Sequence, residues 1–330
     1  MPVFFTVFLT VLYLCFILRL NNTTGLNGVG LVAFPSDTSI KRMINGSFQT
    51  EFEKWLSDNF YGHTFIVKCH NQIEYGVFCD CAGDWIQGKN GYIYSRGQSY
   101  LYVAGERANG TSWNDYLAYA RSVAEMQKLL AKQGKDFVYL ITPIKAEIYP
   151  DYLPWYMQLL YQHYADSRNS THNMLVRALK ECGVNYYDVT DDLKTMRKQK
   201  QFDIFSKTGH HWTLTAAATE METILNKFDE MSKYTLYPTV NVTGVNNNLF
   251  GTDQDILNLQ NVIIPKYAER YNSPDLDIKP TKDSAYIFGT SFGWEISNSL
   301  YKDSENRAFN QLIFEEYFTK KPFMMKMVQR

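Results

Sequence analysis

The sequence predicts an open α/β domain built on a mostly parallel sheet. Helix-like and strand-like segments alternate along the chain, and the strand-like segments at 137–142 and 285–288 are short continuous apolar runs. Such runs suit parallel strands covered on both faces. Alternation of this kind gives right-handed βαβ units rather than an all-β or all-α domain. With 330 residues the chain can bury a core of the size such a domain needs.

The elements follow in order. Residues 3–20 are apolar apart from Arg19 and two threonines, a length at the short end for a membrane-spanning helix. No Ala-x-Ala pattern follows, so residues 1–20 read as an uncleaved signal anchor, with a cleaved signal peptide as the alternative. A tether at 21–46 then leads to one domain at 47–330. Residues 47–60 form a helix with Phe48, Phe52, Trp55 and Leu56 on one face. The run from Gly88 to Tyr94 is a turn entering a strand. A long amphipathic helix at 113–133, begun by Asn114 or Asp115, stops at Gly134. The strand at 137–142 ends at Pro143. A helix at 171–181 is closed by Gly183, and a strand at 184–189, a helix at 213–228 and a strand at 285–288 complete the alternation. The less regular stretch between Lys233 and Lys282 is an excursion beside the site.

Composition excludes little but excludes something. A formal net charge of −1 gives no basic field for nucleic acid. Aromatic content of 15% suits either sugar stacking or ordinary core packing. Of the five cysteines, Cys15 lies in the apolar segment and Cys182 is isolated. In an exported protein Cys69 is expected to pair with Cys79 or Cys81. The single-residue spacing of Cys79 and Cys81 departs from structural zinc spacing, so no metal is expected.

Two segments carry the chemistry. Ser291, in Gly289-Thr290-Ser291-Phe292, follows an apolar strand, and Gly289 gives the backbone room to turn sharply. Amides after Ser291 could donate to an oxyanion. His211, in Gly209-His210-His211-Trp212-Thr213, precedes a helix start capped by Thr208 or Thr213. A helix N-terminus disfavours imidazolium and so favours a neutral base. A serine hydroxyl needs such a base to become a nucleophile. Each segment alone also fits a plain turn or a packed histidine. Ligands of open α/β sheets bind beyond the carboxyl ends of the strands; Thr142-Pro143, the loop after Asp188 and Gly289-Thr290-Ser291 all fall there.

Four stretches in order resemble a known family. They are Gly88-Lys89-Asn90-Gly91-Tyr92-Ile93-Tyr94, the segment from Thr142 to Pro150 with Leu153-Pro154, His211-Trp212-Thr213, and Gly289-Thr290-Ser291-Phe292. Together they resemble the SGNH-hydrolase-like alginate O-acetyltransferases of the AlgX/AlgJ type. The resemblance implies a three-layer α/β/α, flavodoxin-like domain with Ser291 as nucleophile and His211 as general base. It implies acetyl transfer to a polysaccharide on the periplasmic or extracytoplasmic face, with a membrane-bound O-acyltransferase partner supplying the acetyl group and no cofactor. Lys145, His210, Tyr149, Trp212 and Trp294 are the expected substrate contacts.

Two positions depart from the family's pattern. Family members often carry Asp two residues before the histidine and Asp before the serine; here those positions hold Gly209 and Thr290. The group that orients His211 is therefore open, with Asp188 and Asp203 the candidates and a backbone carbonyl an alternative. Two other functions stay open: an acetyl esterase using the same pair, and a catalytically degenerate polysaccharide-binding or assembly protein.

Overall fold

A computed structural model describes residues 2–17, 25–60, 62–108, 110–164, 169–199, 202–233, 240–246, 251–265, 273–278, 287–289, 291–293 and 314–316. The chain divides into two units, residues 1–85 with 256–266, and residues 86–255 with 267–330.

The first unit is helical. Helix α1 (Pro2–Ile17) is apolar and exposes Val3, Phe4 and Phe5. Its 16 residues rise about 24 Å, short of a hydrocarbon core of roughly 30 Å. Among the described residues no helix is long and apolar enough to cross a membrane; residues 18–24 lie outside them. Helices α2 (Ile40–Ile44), α3 (Ser47–Asn59) and α4 (His63–Ile73) follow. The apolar face expected on α3 is present: the Phe48 and Phe52 rings stack at 5.9 Å, and Phe52 meets Trp55 at 5.5 Å. Phe34 packs edge-on against Trp55 at 5.0 Å. The expected disulfide is not formed. Cys69, Cys79 and Cys81 are free thiols, with Cys79 exposed to solvent and Cys81 buried.

The second unit carries the α/β alternation. Strands β1 (Trp85–Gln87) and β2 (Ile93–Ser95) pair across a tight turn in which Asn90 adopts φ 54°. After α5 (Arg96–Ala104), helix α6 (Trp113–Lys132) starts at the expected residue but is capped by neither Asn114 nor Asp115. Ser112 is the cap, its hydroxyl facing the Asp115 amide and the Asp115 carboxylate accepting from the Ser112 amide. Gly134, at φ 72°, ends the segment, because a left-handed residue there carries no Cβ penalty. Strand β3 (Tyr139–Ile141), helices α7 (Lys145–Ile148), α8 (Trp155–Tyr164) and α9 (Thr171–Glu181), and strand β4 (Tyr186–Asp188) come next. Helices α10 (Thr190–Gln199) and α11 (Leu214–Met231), strand β5 (Val240–Asn246) and strands β6 (Ser273–Ile278), β7 (Ile287–Gly289) and β8 (Phe314–Glu316) complete this unit, and helix α12 (Asp255–Leu259) begins on its Asp255 and continues in residues of the first unit.

Strands β3 and β4 pair in parallel, Tyr139 opposite Tyr186 and Ile141 opposite Asp188. Successive side chains point to opposite faces, and each face meets its own core. Tyr139, Ile141 and Tyr186 join Ala120, Val123 and Ala124 of α6 and Ala178 and Leu179 of α9. Leu140 and Tyr187 join the larger cluster, which holds Leu193 of α10 and Ala217 and Met221 of α11. Helices therefore cover both faces of this pair, the layering expected from its apolar runs. Strands β7 and β8 are also parallel, whereas β5 and β6 form an antiparallel pair inside the stretch expected to be irregular. Among the described residues the strands form four two-stranded sheets rather than one broad sheet.

Candidate active site

The histidine segment is fixed before its side chains are considered. Phe205 and Trp212 form an antiparallel bridge, and the Thr213 amide donates to the Ile204 carbonyl at 2.8 Å, so residues 206–211 close a tight loop. Thr213 is the cap of α11; its hydroxyl accepts from the Ala216 amide at 3.2 Å and donates to the Asp203 carbonyl at 2.8 Å. Trp212 is 1% exposed, and its indole N–H donates to the Phe292 carbonyl at 3.1 Å. That bond ties the residue after His211 to the residue after Ser291.

Ser291 follows β7 at its carboxyl end, and its Oγ lies 2.7 Å from His211 Nε2. The other ring nitrogen, Nδ1, lies 2.8 Å from Asp255 Oδ2. The second carboxylate oxygen of Asp255 accepts the His210 amide at 2.7 Å. A carboxylate at Nδ1 holds the proton there and leaves the Nε2 lone pair free to accept the serine proton. His211 is buried, and its ring sits 5.2 Å from that of Phe292. The three side chains form a serine–histidine–aspartate relay.

Both ring nitrogens of His211 are thus taken by Asp255 and Ser291, and neither expected acid holds the ring. Asp188 instead accepts from His172 Nε2 at 2.5 Å and from the Thr190 amide at 3.0 Å. His172 also bonds Glu147 at 3.0 Å, and these two carboxylates push its pKa up to about 10. Asp203 gives its carbonyl to the α11 cap, while burial, assisted by its carboxylate, pushes Tyr149 up to about 12.

Asp255 was hidden from sequence reasoning because it falls in the irregular stretch, 44 residues after His211. The only local signal is an acidic residue opening a helix. Gly209 shows why the acid comes from there. A Cβ at Gly209 would stand 2.3 Å from Ser206 Oγ and 2.4 Å from the Thr252 carbonyl. The Gly209 amide donates to Ser206 Oγ at 2.7 Å, and the Ser206 and Thr208 hydroxyls both donate to the Asp253 carbonyl, at 2.7 and 3.1 Å. Residues 252–255 therefore fill the space beside Gly209 and bring their own carboxylate to the ring.

The expected substrate contacts divide. Tyr149 and Trp212 are core residues, 4% and 1% exposed, so neither offers a stacking face. The Tyr149 hydroxyl accepts the Ile204 amide at 3.0 Å. Lys145 is 4% exposed, and its ammonium donates to the carbonyls of Ile93, Lys207 and Gly209 at 2.8, 2.8 and 2.9 Å. All three of its N–H groups are used internally, so it does not reach out to an anion. His210 remains beside the relay, its ring 5.5 Å from that of Phe292. Burial, then the charges of His211 and Lys145, push its pKa down to about 4. Thr290 and Trp294 lie outside the described residues.

The family described as "SGNH hydrolase-like domain, acetyltransferase AlgX" matches residues 86–292, more than half of the chain. Among solved structures, the chain is similar to the O-acetyltransferase domain of Pseudomonas putida AlgJ, at TM-score 0.47 and 15% identity over 66% of this chain and 76% of that one. It is similar to Pseudomonas aeruginosa AlgX at TM-score 0.44 and 13% identity, over 70% of this chain and 53% of that one. For Bacillus cereus PatB1 the TM-score is 0.35 and the identity 14%, over 62% of this chain and 82% of that one. No curated protein sequence matches. By the family match the chain belongs to the SGNH hydrolase-like acetyltransferases of the AlgX type, an α/β family of acyltransferases.

Proposed function

We propose that this protein transfers an acetyl group, by way of an acetyl ester on Ser291, to hydroxyls of an extracytoplasmic polysaccharide. The observation that carries this reading is the bonded series Asp255–His211–Ser291. His211 Nε2 takes the Ser291 proton as Oγ attacks the carbonyl carbon of the acetyl donor. The amides that follow Ser291, those of Phe292 and Gly293, are the donors this reading assigns to the oxyanion that forms. His211 then gives its proton to the leaving oxygen, and acetyl-Ser291 remains. In the second half His211 removes a proton from the acceptor hydroxyl, which attacks the acetyl carbonyl and releases Ser291 protonated. Asp255 keeps its negative charge throughout and stabilises the imidazolium between steps.

Membership of an acetyltransferase family supports the transfer of an acetyl group. We infer further that a membrane-bound O-acyltransferase supplies the acetyl group, and that the apolar segment containing α1 keeps the domain at that membrane. An intact relay favours an enzyme over a degenerate binding protein. His210, neutral and adjacent to the relay, is the remaining described substrate contact in this reading.

The test uses the purified protein with a chromogenic acetyl ester and intact-mass detection. Wild type is expected to release the chromophore in a burst and gain one acetyl group on Ser291, while S291A does neither. Transfer of the label to an added oligosaccharide supports the transferase; free acetate as sole product supports an esterase. Equal ester cleavage by wild type and S291A would sink both.

A further inference from the structure

We infer that Lys145 is a positioning residue for the histidine base, acting through the backbone of the loop that carries it. The inference rests on the serine acyl-transfer reading above. An ammonium has three N–H groups, and here each meets a main-chain carbonyl: Ile93 on β2, and Lys207 and Gly209 on the histidine loop. Gly209 is two residues from His211. The same loop is held from its other side by the 252–255 segment, through the Ser206, Thr208 and His210 bonds to Asp253 and Asp255. The Ile93 amide closes a further bond to the Lys207 carbonyl at 2.8 Å. Lys145 therefore joins β2 to the histidine loop at the residues that set where the imidazole stands.

The surroundings are built for a cation. The ammonium lies 5.4 Å from the ring centres of both Tyr92 and Tyr94. Burial pulls its pKa down to about 7, and the carboxylates of Asp255 and Asp203 pull the other way. Three carbonyl acceptors also favour the charged form. An apolar side chain of similar length would fill the volume, take this donor from the buried Ile93 and Gly209 carbonyls, and leave the Lys207 carbonyl with the Ile93 amide. The loop must then shift to find others, and a misplacement on the order of 1 Å at the base costs about 10²-fold in rate.

The experiment compares wild type, K145M and K145Q in the full chain, using the acetyl-ester burst to separate the acylation rate constant from ester half-saturation. The downfield proton resonance of the His211 Nδ1–H bonded to Asp255 is recorded alongside. K145M is expected to acylate about 10²-fold more slowly at nearly unchanged half-saturation, with the downfield resonance lost or broadened. K145Q, which restores two of the three donors, is expected to fall between; it carries the comparison if K145M does not fold. Folded variants that acylate within about threefold of wild type and keep the resonance would overturn the inference. A wild-type protein that forms no acetyl-serine counts against the acyl-transfer reading itself, a separate outcome.

Discussion

Replacing Asp255 by asparagine tests the relay at its least expected member. Two donors converge on this carboxylate, His211 Nδ1–H at 2.8 Å and the His210 amide at 2.7 Å. A carboxylate satisfies both, because each oxygen accepts. A primary amide has one accepting oxygen and one donating nitrogen, so D255N can satisfy only one of them. If its oxygen keeps the His210 amide, its NH₂ faces His211 and forces the proton onto Nε2, where it cannot receive the serine proton. If it turns, NH₂ meets the His210 N–H and the loop is pushed away. In a serine triad the wrong tautomer costs on the order of 10⁴ in kcat, equivalent to roughly 5.5 kcal/mol of transition-state stabilisation. Asp255 is only partly buried, with 27% of its side chain exposed, so water can relieve part of the mismatch. The expected loss in acylation rate is therefore about 10³ to 10⁴. Pre-steady-state bursts with a chromogenic acetyl ester measure it, with D188N and D203N as controls expected within about threefold of wild type. D255N acylating at a tenth of the wild-type rate or faster, or D188N or D203N matching the D255N loss, would refute the assignment of the acid.

Two further outcomes concern Gly209 and the His172 cluster. G209A places a methyl group 2.3 and 2.4 Å from Ser206 Oγ and the Thr252 carbonyl; the expected cost is about 1–3 kcal/mol, read as a lower Tm with slower acylation, and an unchanged Tm and rate would refute the packing. His172 has its pKa raised from 6.5 to about 10 by the hydrogen bonds it donates to Asp188 and Glu147, so its stabilisation is full below the ordinary value and is lost as pH rises through about 10. The two carboxylates, held below their ordinary values by His172 against the opposing effect of burial, contribute above those values and lose their contribution as pH falls. Thermal melts of wild type should therefore decline between about pH 6.5 and 10 while H172Q stays flatter; parallel curves would show that the cluster does not hold this charge.

Much of the frame was legible because it depends on local patterns. The helix at 171–181 matches α9 residue for residue, and that at 113–133 matches α6 to within one. These helices have clear apolar faces, and a glycine at φ 72° or 68° stands just beyond each. Ser291 and His211 were legible as residue types beside a strand end and a helix start. Asp255 was not, since its role depends on a long-range approach between residues 251–255 and the histidine loop that no local pattern encodes. Lys145 was misread for a related reason: sequence places it just past a strand, where a cation usually faces water, and only the three converging carbonyls show it turned inward. Tyr149 and Trp212 illustrate the same limit, since an aromatic side chain suits a core and a sugar face equally well until burial is known.

Gly209 also constrains how this sequence can change. Placing an acid at position 209 would need a side chain where the backbone of Thr252 and Asp253 now stands, so that segment would have to withdraw first. The withdrawing segment carries Asp255, and every intermediate along that route would lose its carboxylate before gaining another. The two positions are thus bound in mutational space: neither substitution is tolerable alone, and only a concerted rebuilding of the 251–255 segment could exchange one arrangement for the other.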